Sequence, residues 1–232
     1  MEHFELDFSN LALPIQAVIA NQQLNVRPAR QPDYAAQLAA TTAVIKALAE
    51  LPETVLTKLS QSILQLTGAD SAGVSLLGNA SGSKVFVWQG AAGLFEKYLG
   101  SVVPYDESPC GLVISTGKTM LLLNPGEAYK TAAQVQPHMQ EVLLMPFYVN
   151  CQPVGTVWAI SQGDKKFDAE DARLITAMSE LVALAYHVMI KMGDLELLSK
   201  AVHTVAETKL ESPPAAATST ATRAYSFAAT AV

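Results

Sequence analysis

Charge is scarce in this chain, and positive charge is scarcer than negative. Lys and Arg number 15 against 21 Asp and Glu, a net charge of −6 over 232 residues, and no basic block interrupts the sequence. The clustered cationic footprint of a nucleic-acid binder is therefore missing. Cysteine is scarcer still. Cys110 and Cys151 form neither a disulfide framework nor a zinc-ligand spacing, and they read as free thiols in a reducing cytoplasm. No uninterrupted apolar run reaches the roughly 18 residues of a membrane span. Leu181–Ile190 comes nearest and contains His187. The first twenty residues carry Glu2, Glu5 and Asp7 where a secretory leader would be basic, so a cytoplasmic protein is expected. His3, His138, His187 and His203 are not spaced as metal pairs, so no metal is expected.

Apolar residues are plentiful, half of the total, which is enough for a substantial core in one domain with extensions. Met1–Gln31, with Pro14 and Pro28, reads as an extended arm that packs locally, running up to Pro32. A helix is expected over Asp33–Glu50, with Tyr34, Leu38, Thr41, Ile45 and Leu48 on one face at steps of four and three. Leu51-Pro52-Glu53 breaks it and starts a second helix to Thr67, with Val55, Leu56, Leu59, Ile63 and Leu64 inward and Gly68 as the stop. Ala72–Leu77 and Val85–Trp88 read as strands, Ala91–Leu99 as a short helix or turn, and Lys118–Leu123 as a strand. Glu127–Met139 reads as irregular or weakly helical, interrupted at Pro137. A hairpin of Val142–Tyr148 and Val154–Ser161 is expected next, joined at Asn150-Cys151-Gln152.

The last helix begins at Asp168, an N-cap with Asp171 three residues on. From there Leu174, Met178, Leu181, Ala185, Val188, Met192, Leu195 and Val202 keep a 3.5-residue repeat, the pattern of a seam between helices. If continuous to Thr208 the rod would be roughly 60 Å long. The proline- and alanine-rich tail from Glu211 lacks periodicity and is expected to be disordered. The boundaries that follow are 1–32 for the arm, 33–190 for the domain, 191–210 for a helical extension and 211–232 for the tail.

Gly111–Thr119 resembles a phosphate-binding loop at first sight. It has five residues between its glycines where four are needed, and it leads into a strand instead of a helix. Cys110 sits at a helix start, where partial positive charge lowers a thiol pKa. It is either a reactive or ligand-contacting thiol or a small packing residue, the commoner role of free cysteine. Cys151 falls at a hairpin tip and reads as exposed. Trp88 and Trp158 read as core, with one of them a candidate pocket wall. No serine stands in a nucleophile elbow and no carboxylates form an acid/base pair.

Ser108–Gly111, Pro146–Val149, Pro153–Trp158 and Lys166–Leu174 occur here in an order that resembles the bacterial sensor type of GAF domain. The resemblance spans about Val55 to Tyr186. It implies an α+β fold: a central antiparallel sheet backed by the first and last helices, with loops enclosing a ligand cavity on the other face. It implies a homodimer through the terminal helices. It also implies a signal passed to an output domain on another protein, such as a histidine kinase, with neither nucleic acid nor membrane as partner. The cavity walls it implies are Trp88, Tyr105, Glu107, Ser108, Cys110, His138 and Phe147; the ligand itself is not specified.

Three specialised activities of that family fit only in part. Bilin attachment uses Cys-His, and here Gln136-Pro137-His138 lacks the cysteine. Free-methionine sulfoxide reductases are similar around Cys110-Gly111, but their catalytic cysteine has no counterpart between Asn124 and Glu141. Of a cyclic-nucleotide pattern, Phe167 and Asp171 are present, while Ala172 replaces glutamate and no Asn-Lys precedes. A non-catalytic sensor of a small molecule or redox state is therefore the expected function, with a thiol-dependent reductase or a purely structural dimer module as alternatives.

Overall fold

The computed structural model describes residues 13–191 and residue 193. Six strands form one antiparallel sheet in the order β3-β2-β1-β6-β5-β4: β1 Ser71–Ala80, β2 Ser83–Gly93, β3 Val102–Pro104, β4 Met120–Leu123, β5 Glu141–Val149 and β6 Gln152–Ser161. Apolar residues occupy both parities of the central strands, so both faces must be covered. On one face Val74, Leu76, Leu143, Val157 and Ala159 pack under α4 (Val55–Thr67) and α7 (Ala169–Lys191). On the other face Phe86, Trp88, Val142, Leu144, Trp158 and Ile160 form a second core under shorter pieces. These are α5 (Pro109–Thr116), α6 (Lys130–Ala133) and the loops around them.

The expected elements are present, with informative differences. Each hairpin strand is longer than its apolar run, because ladder bonding continues to the turns. β2 extends to Gly93, through the stretch expected to turn at Ala91, and pairs with β1 across a bulge at Val74/Ser75. β3, too short to show a period, was not expected. Asn150 and Cys151 both adopt positive φ in the tip of the β5–β6 hairpin, the backbone that a two-residue hairpin turn demands.

The described part of the arm, from Leu13 on, is not extended. It folds into α1 (Leu13–Val18) and α2 (Gln22–Val26) and covers the edge of β4. The Ala20 N–H donates to the Leu121 carbonyl at 2.8 Å. The Asn21 side chain accepts from the Leu121 N–H and donates to the Thr119 carbonyl, both at 2.8 Å, so its amide stands in for one unit of a further strand. An exposed strand edge is a template for unwanted pairing, and this cover removes it.

Helix α3 (Tyr34–Glu50) turns the expected face outward. Tyr34, Leu38 and Ile45 are 66%, 68% and 52% exposed, while Val44 is buried and Ala36, Ala40 and Leu48 pack on the core. Small side chains let α3 lie close, and the bulky ones are left outside. In α7 the assignment is reversed. Leu174, Met178 and Ala185 of the heptad series are buried against the chain's own sheet. The seam read there is largely an intramolecular contact, and its continuation past residue 191 lies outside the described residues, as does the tail from Glu211. By length and composition alone α7 is apolar enough to cross a membrane; here its apolar face is core.

Buried carboxylates tie the arm to the start of α7. Glu141, 1% exposed, takes both guanidinium nitrogens of Arg27 at 2.8 and 3.0 Å, and Lys166 at 3.2 Å. Asp171, fully buried, takes Arg30 at 2.6 Å and Lys165 at 2.7 Å. Asp168 and Asp171 cap one another's N–H groups at 3.0 and 2.9 Å, a capping box with aspartate in both places. Burial raises the Glu141 pKa, but the Arg27 and Phe167 N–H bonds, Lys166 and the charge of Arg27 prevail and hold it below the ordinary value. A depressed carboxylate stabilises the fold above its unfolded pKa, near 4.3. That contribution is lost as pH falls through the folded value. Breaking a buried pair costs about 3–5 kcal/mol. Arg27→Ala should lower unfolding stability at pH 7 by about that amount, measured by urea titration. The gap to wild type should narrow as pH falls below about 4 and on through the depressed folded value of Glu141, where the wild-type pair is lost as well.

Candidate functional site

The site lies on the sheet face opposite the helices, and sheet parity builds it. Gly73, Ser75, Thr156 and Trp158 are cross-strand partners with Cβ directions toward this face. Gly73 is required here: a Cβ would stand 2.1 Å from Cζ2 of Trp158, so the absent side chain is what lets the indole lie flat on β1. The Trp158 Nε1–H donates to Ser75 Oγ at 2.9 Å, which satisfies its polar end. Trp88 tilts against Trp158 at 4.6 Å between centroids and continues into Phe95 and Tyr98.

The roof comes from two segments. Ser108 caps α5 by accepting the Cys110 N–H at 3.1 Å, with Pro109 in the first turn. Gly111 lets the Tyr105 carbonyl approach where a Cβ would collide. The second segment, 125–139, carries α6. The Thr131 hydroxyl donates to the Glu107 carbonyl, and the Tyr98 hydroxyl donates to the Gln136 carbonyl at 3.1 Å while accepting its N–H at 3.0 Å. These contacts pin the roof to the rest of the domain.

Beneath the roof is a cavity of about 50 Å³, open to the surface at one side. Its lining comprises Trp88, Val103, Ser108, Pro109, Cys110, Thr131, Ala132, Val135, Met139, Val142, Leu144, Trp158 and Ile160. No lining residue is ionisable apart from Cys110. Of the expected walls, Trp88, Ser108 and Cys110 meet here. Glu107 is exposed on the rim and contributes its carbonyl. Tyr105 lies beside the site, stacked on Phe86 at 5.5 Å. His138 is exposed and bonded to Gln136, while its neighbour Met139 reaches the cavity. Phe147 is on the helix face, against Tyr186. The period of two places residue 147 opposite in parity to Val142 and Leu144, so this expectation broke a rule legible in the sequence. The roof residues Thr131, Ala132 and Val135 came from the segment expected to be irregular or weakly helical and gave no signal of their own.

Cys110 is a buried thiol. The Thr156 hydroxyl donates to Sγ at 3.1 Å. Burial pushes its pKa up, and this outweighs the lowering by hydroxyls of Thr156, Ser108 and Ser75 and by its own backbone N–H. Of the two readings of Cys110, this environment fits the buried packing residue: the field at the helix start does not compensate removal from water. Nearby in the same core, Tyr129 is buried with its hydroxyl unpartnered. Its pKa is pushed up to about 12, by burial first and then by Cys110. Cys151 is exposed at the hairpin tip. Among the described residues no group of His, Cys, Asp or Glu is placed to hold a metal. Phe167 and Asp171, shared with the cyclic-nucleotide pattern, are a core residue and a capping residue.

None of the curated proteins matches this chain. Among solved structures, it is similar to the GAF domain of a phosphoenolpyruvate-protein phosphotransferase from Coxiella burnetii, with TM-score 0.59 and 16% identity over 70% of this chain and 99% of that one. The corresponding Acinetobacter domain gives 0.56 and 12%, over 67% and 95%. A free methionine-R-sulfoxide reductase from Neisseria meningitidis, solved with its substrate, gives 0.53 and 14%, over 70% and 96%. At these identities the likeness is one of fold. The GAF domain family model matches residues 51–186, more than half of the sequence. On that match, and on a sheet with helices behind it and a roofed cavity in front, this chain belongs to the GAF domain family.

Proposed function

We propose that this chain is a non-catalytic sensory module that responds to the occupancy or chemical state of the Trp88–Cys110 cavity. It acts as a cytoplasmic homodimer and relays the change to a separate output protein such as a histidine kinase. The observation that carries the reading is the cavity itself. The helix face of the sheet is covered by long helices with buried apolar side chains, whereas the loop-covered face has a void beneath a roof whose rim is closed by a few hydrogen bonds. A ligand there gains affinity from the difference between roof states, which is what a switch needs.

The reductase alternative, suggested by one structural neighbour, is disfavoured by chemistry. Its turnover needs a thiolate and a second thiol. Burial pushes the Cys110 thiol away from ionising, and Cys151 lies at the tip of a hairpin. For dimerisation the support is the stripe on α3. Tyr34, Leu38 and Ile45, at the four- and seven-residue steps of a helix–helix seam, are three large apolar side chains left in water.

Iodoacetamide should label Cys151 within minutes in native protein and Cys110 only after unfolding, read by peptide mass spectrometry. Rapid native labelling of Cys110 at neutral pH would revive the reductase reading. For the dimer, Leu38→Glu combined with Ile45→Lys should convert the species seen in sedimentation from dimer to monomer. The melting temperature of the isolated fold should stay within a few degrees, because both side chains lie outside the core. Wild-type protein that sediments as a monomer at tens of micromolar would remove the homodimer from the proposal.

A further inference from the structure

Tyr98 touches both the aromatic wall of the cavity and its roof. We propose that this side chain is the latch of the site, a positioning residue through which displacement of Trp88 and release of the roof segment 134–139 are coupled. The inference rests on the sensory reading above and deepens it by naming the gate.

At the wall, Tyr98 closes the single 3-10 turn Glu96–Tyr98. Its N–H donates to the Phe95 carbonyl and its carbonyl accepts from the Ser101 N–H, both at 2.9 Å. The ring stands edge-on to two neighbours. Phe95, fully buried, is 5.6 Å away between centroids at 90°, and Trp88 is 6.2 Å away at 78°. Edge-to-face pairs at these separations are attractive and directional. Trp88 lines the cavity and leans on Trp158, so a shift of its indole is felt at the Tyr98 ring.

At the roof, the Tyr98 hydroxyl donates to the Gln136 carbonyl at 3.1 Å and accepts the Gln136 N–H at 3.0 Å. One phenol thus serves both backbone groups of one residue, as an antiparallel strand does at a hydrogen-bonded pair. Gln136 lies in sequence between Val135 and Met139, both of which line the cavity. Gln136, Pro137 and His138 are exposed, and Pro137 has no N–H to offer. Bonds so open to water hold the segment in place and are released at small cost. The latch is on the side where the cavity opens, since the lining residues Val103, Pro109, Thr131, Val135 and Met139 are only partly buried. The other rim bond, from Thr131 to the Glu107 carbonyl, has no aromatic ring linking it to the wall.

Cys110 lies beneath the roof and Cys151 outside it, so slow alkylation counts roof openings against an internal reference. Full-length protein would be held with iodoacetamide for a day in zero to low urea, and each cysteine followed by peptide mass spectrometry. Tyr98→Phe keeps the ring and deletes both bonds. It should speed Cys110 modification about tenfold, as loss of two water-exposed hydrogen bonds implies, and leave Cys151 unchanged. The faster rate should vary little with low urea, because a local opening exposes little surface. Trp88→Phe should speed Cys110 about threefold while the Tyr98 hydroxyl is present, as a weakened aromatic pair implies, and add little in Tyr98→Phe. In a Thr131→Val background its threefold effect should persist. An unchanged Cys110 rate in Tyr98→Phe, or a urea dependence as steep as that of global unfolding, would overturn the latch. Equal effects of Trp88→Phe with and without the hydroxyl would overturn the coupling to the wall. No ligand is added, so these outcomes bear on the latch alone. A wild-type monomer in sedimentation would instead remove relay through a dimer and leave the latch standing.

Discussion

The fold depends on one constraint: every central strand must present apolar side chains on both faces. In β6, Thr156, Trp158 and Ile160 point one way and Val157 and Ala159 the other, and β5 divides Val142 and Leu144 from Leu143 and Phe147 in the same manner. A sheet of this kind needs two lids. Helices make a good lid, because α4 and α7 are long enough to lay continuous apolar stripes across it. Turns and one- or two-turn helices make a poor one. Their backbone must satisfy its own hydrogen bonds locally, so they cannot shape themselves fully to the side chains beneath. The cavity is what that mismatch leaves, and it lies where the roof is built of the shortest pieces.

The arm closes the remaining weakness of such a sheet, the β4 edge, and it does so with polar chemistry. Asn21 imitates a peptide unit, and Arg27 and Arg30 reach past the edge to carboxylates that cap and anchor α7. Salt bridges this deep do not make a protein stable by themselves, since desolvation offsets much of the attraction. Their consequence is positional. With Glu141 on β5 and Asp171 at the first turn of α7, the arm can lie in one place only if both guanidinium groups find them. The arm leads directly into α3, so the outward stripe of Tyr34, Leu38 and Ile45 is oriented by the same contacts.

Much of this was legible in the sequence, and the exceptions have physical causes. Strands, the hairpin, α4 and the start of α7 were readable because period, glycine stops and caps are local properties. Cys110, Ser108 and Trp88 were placed at the cavity through family resemblance, which the structure supports in position. Phe147 was misplaced although alternation from Val142 assigns it to the helix face. The two readings of Cys110 stayed open in the sequence because a helix start is visible there and burial is not. Helix α3 illustrates a third kind of error. A four-three pattern announces an apolar face but not which surface covers it, and in α3 small residues on the other side won the contact with the core. Tyr129 gave no signal at all, since an unpaired hydroxyl is a statement about surroundings.

The two lids are joined through the strands they share. A side chain that shifts Trp158 from the cavity side moves a backbone whose adjacent residues, Val157 and Ala159, form part of the core beneath the helices, while Leu143, between the cavity residues Val142 and Leu144, belongs to that same core. One pleat therefore separates the void from the helical layer. Proximity of this kind supplies a route, and a response additionally requires an element with two discrete arrangements. The roof is held less firmly than the helices are. It buries Leu112, Val113, Tyr129 and Ala132 and closes its rim with hydrogen bonds between Thr131 and Glu107 and between Tyr98 and Gln136, groups that water can replace, whereas α4 and α7 lay a longer series of buried apolar side chains on the sheet. A molecule small enough to enter beneath an intact roof would act by stiffening it. A larger one would act by forcing it open.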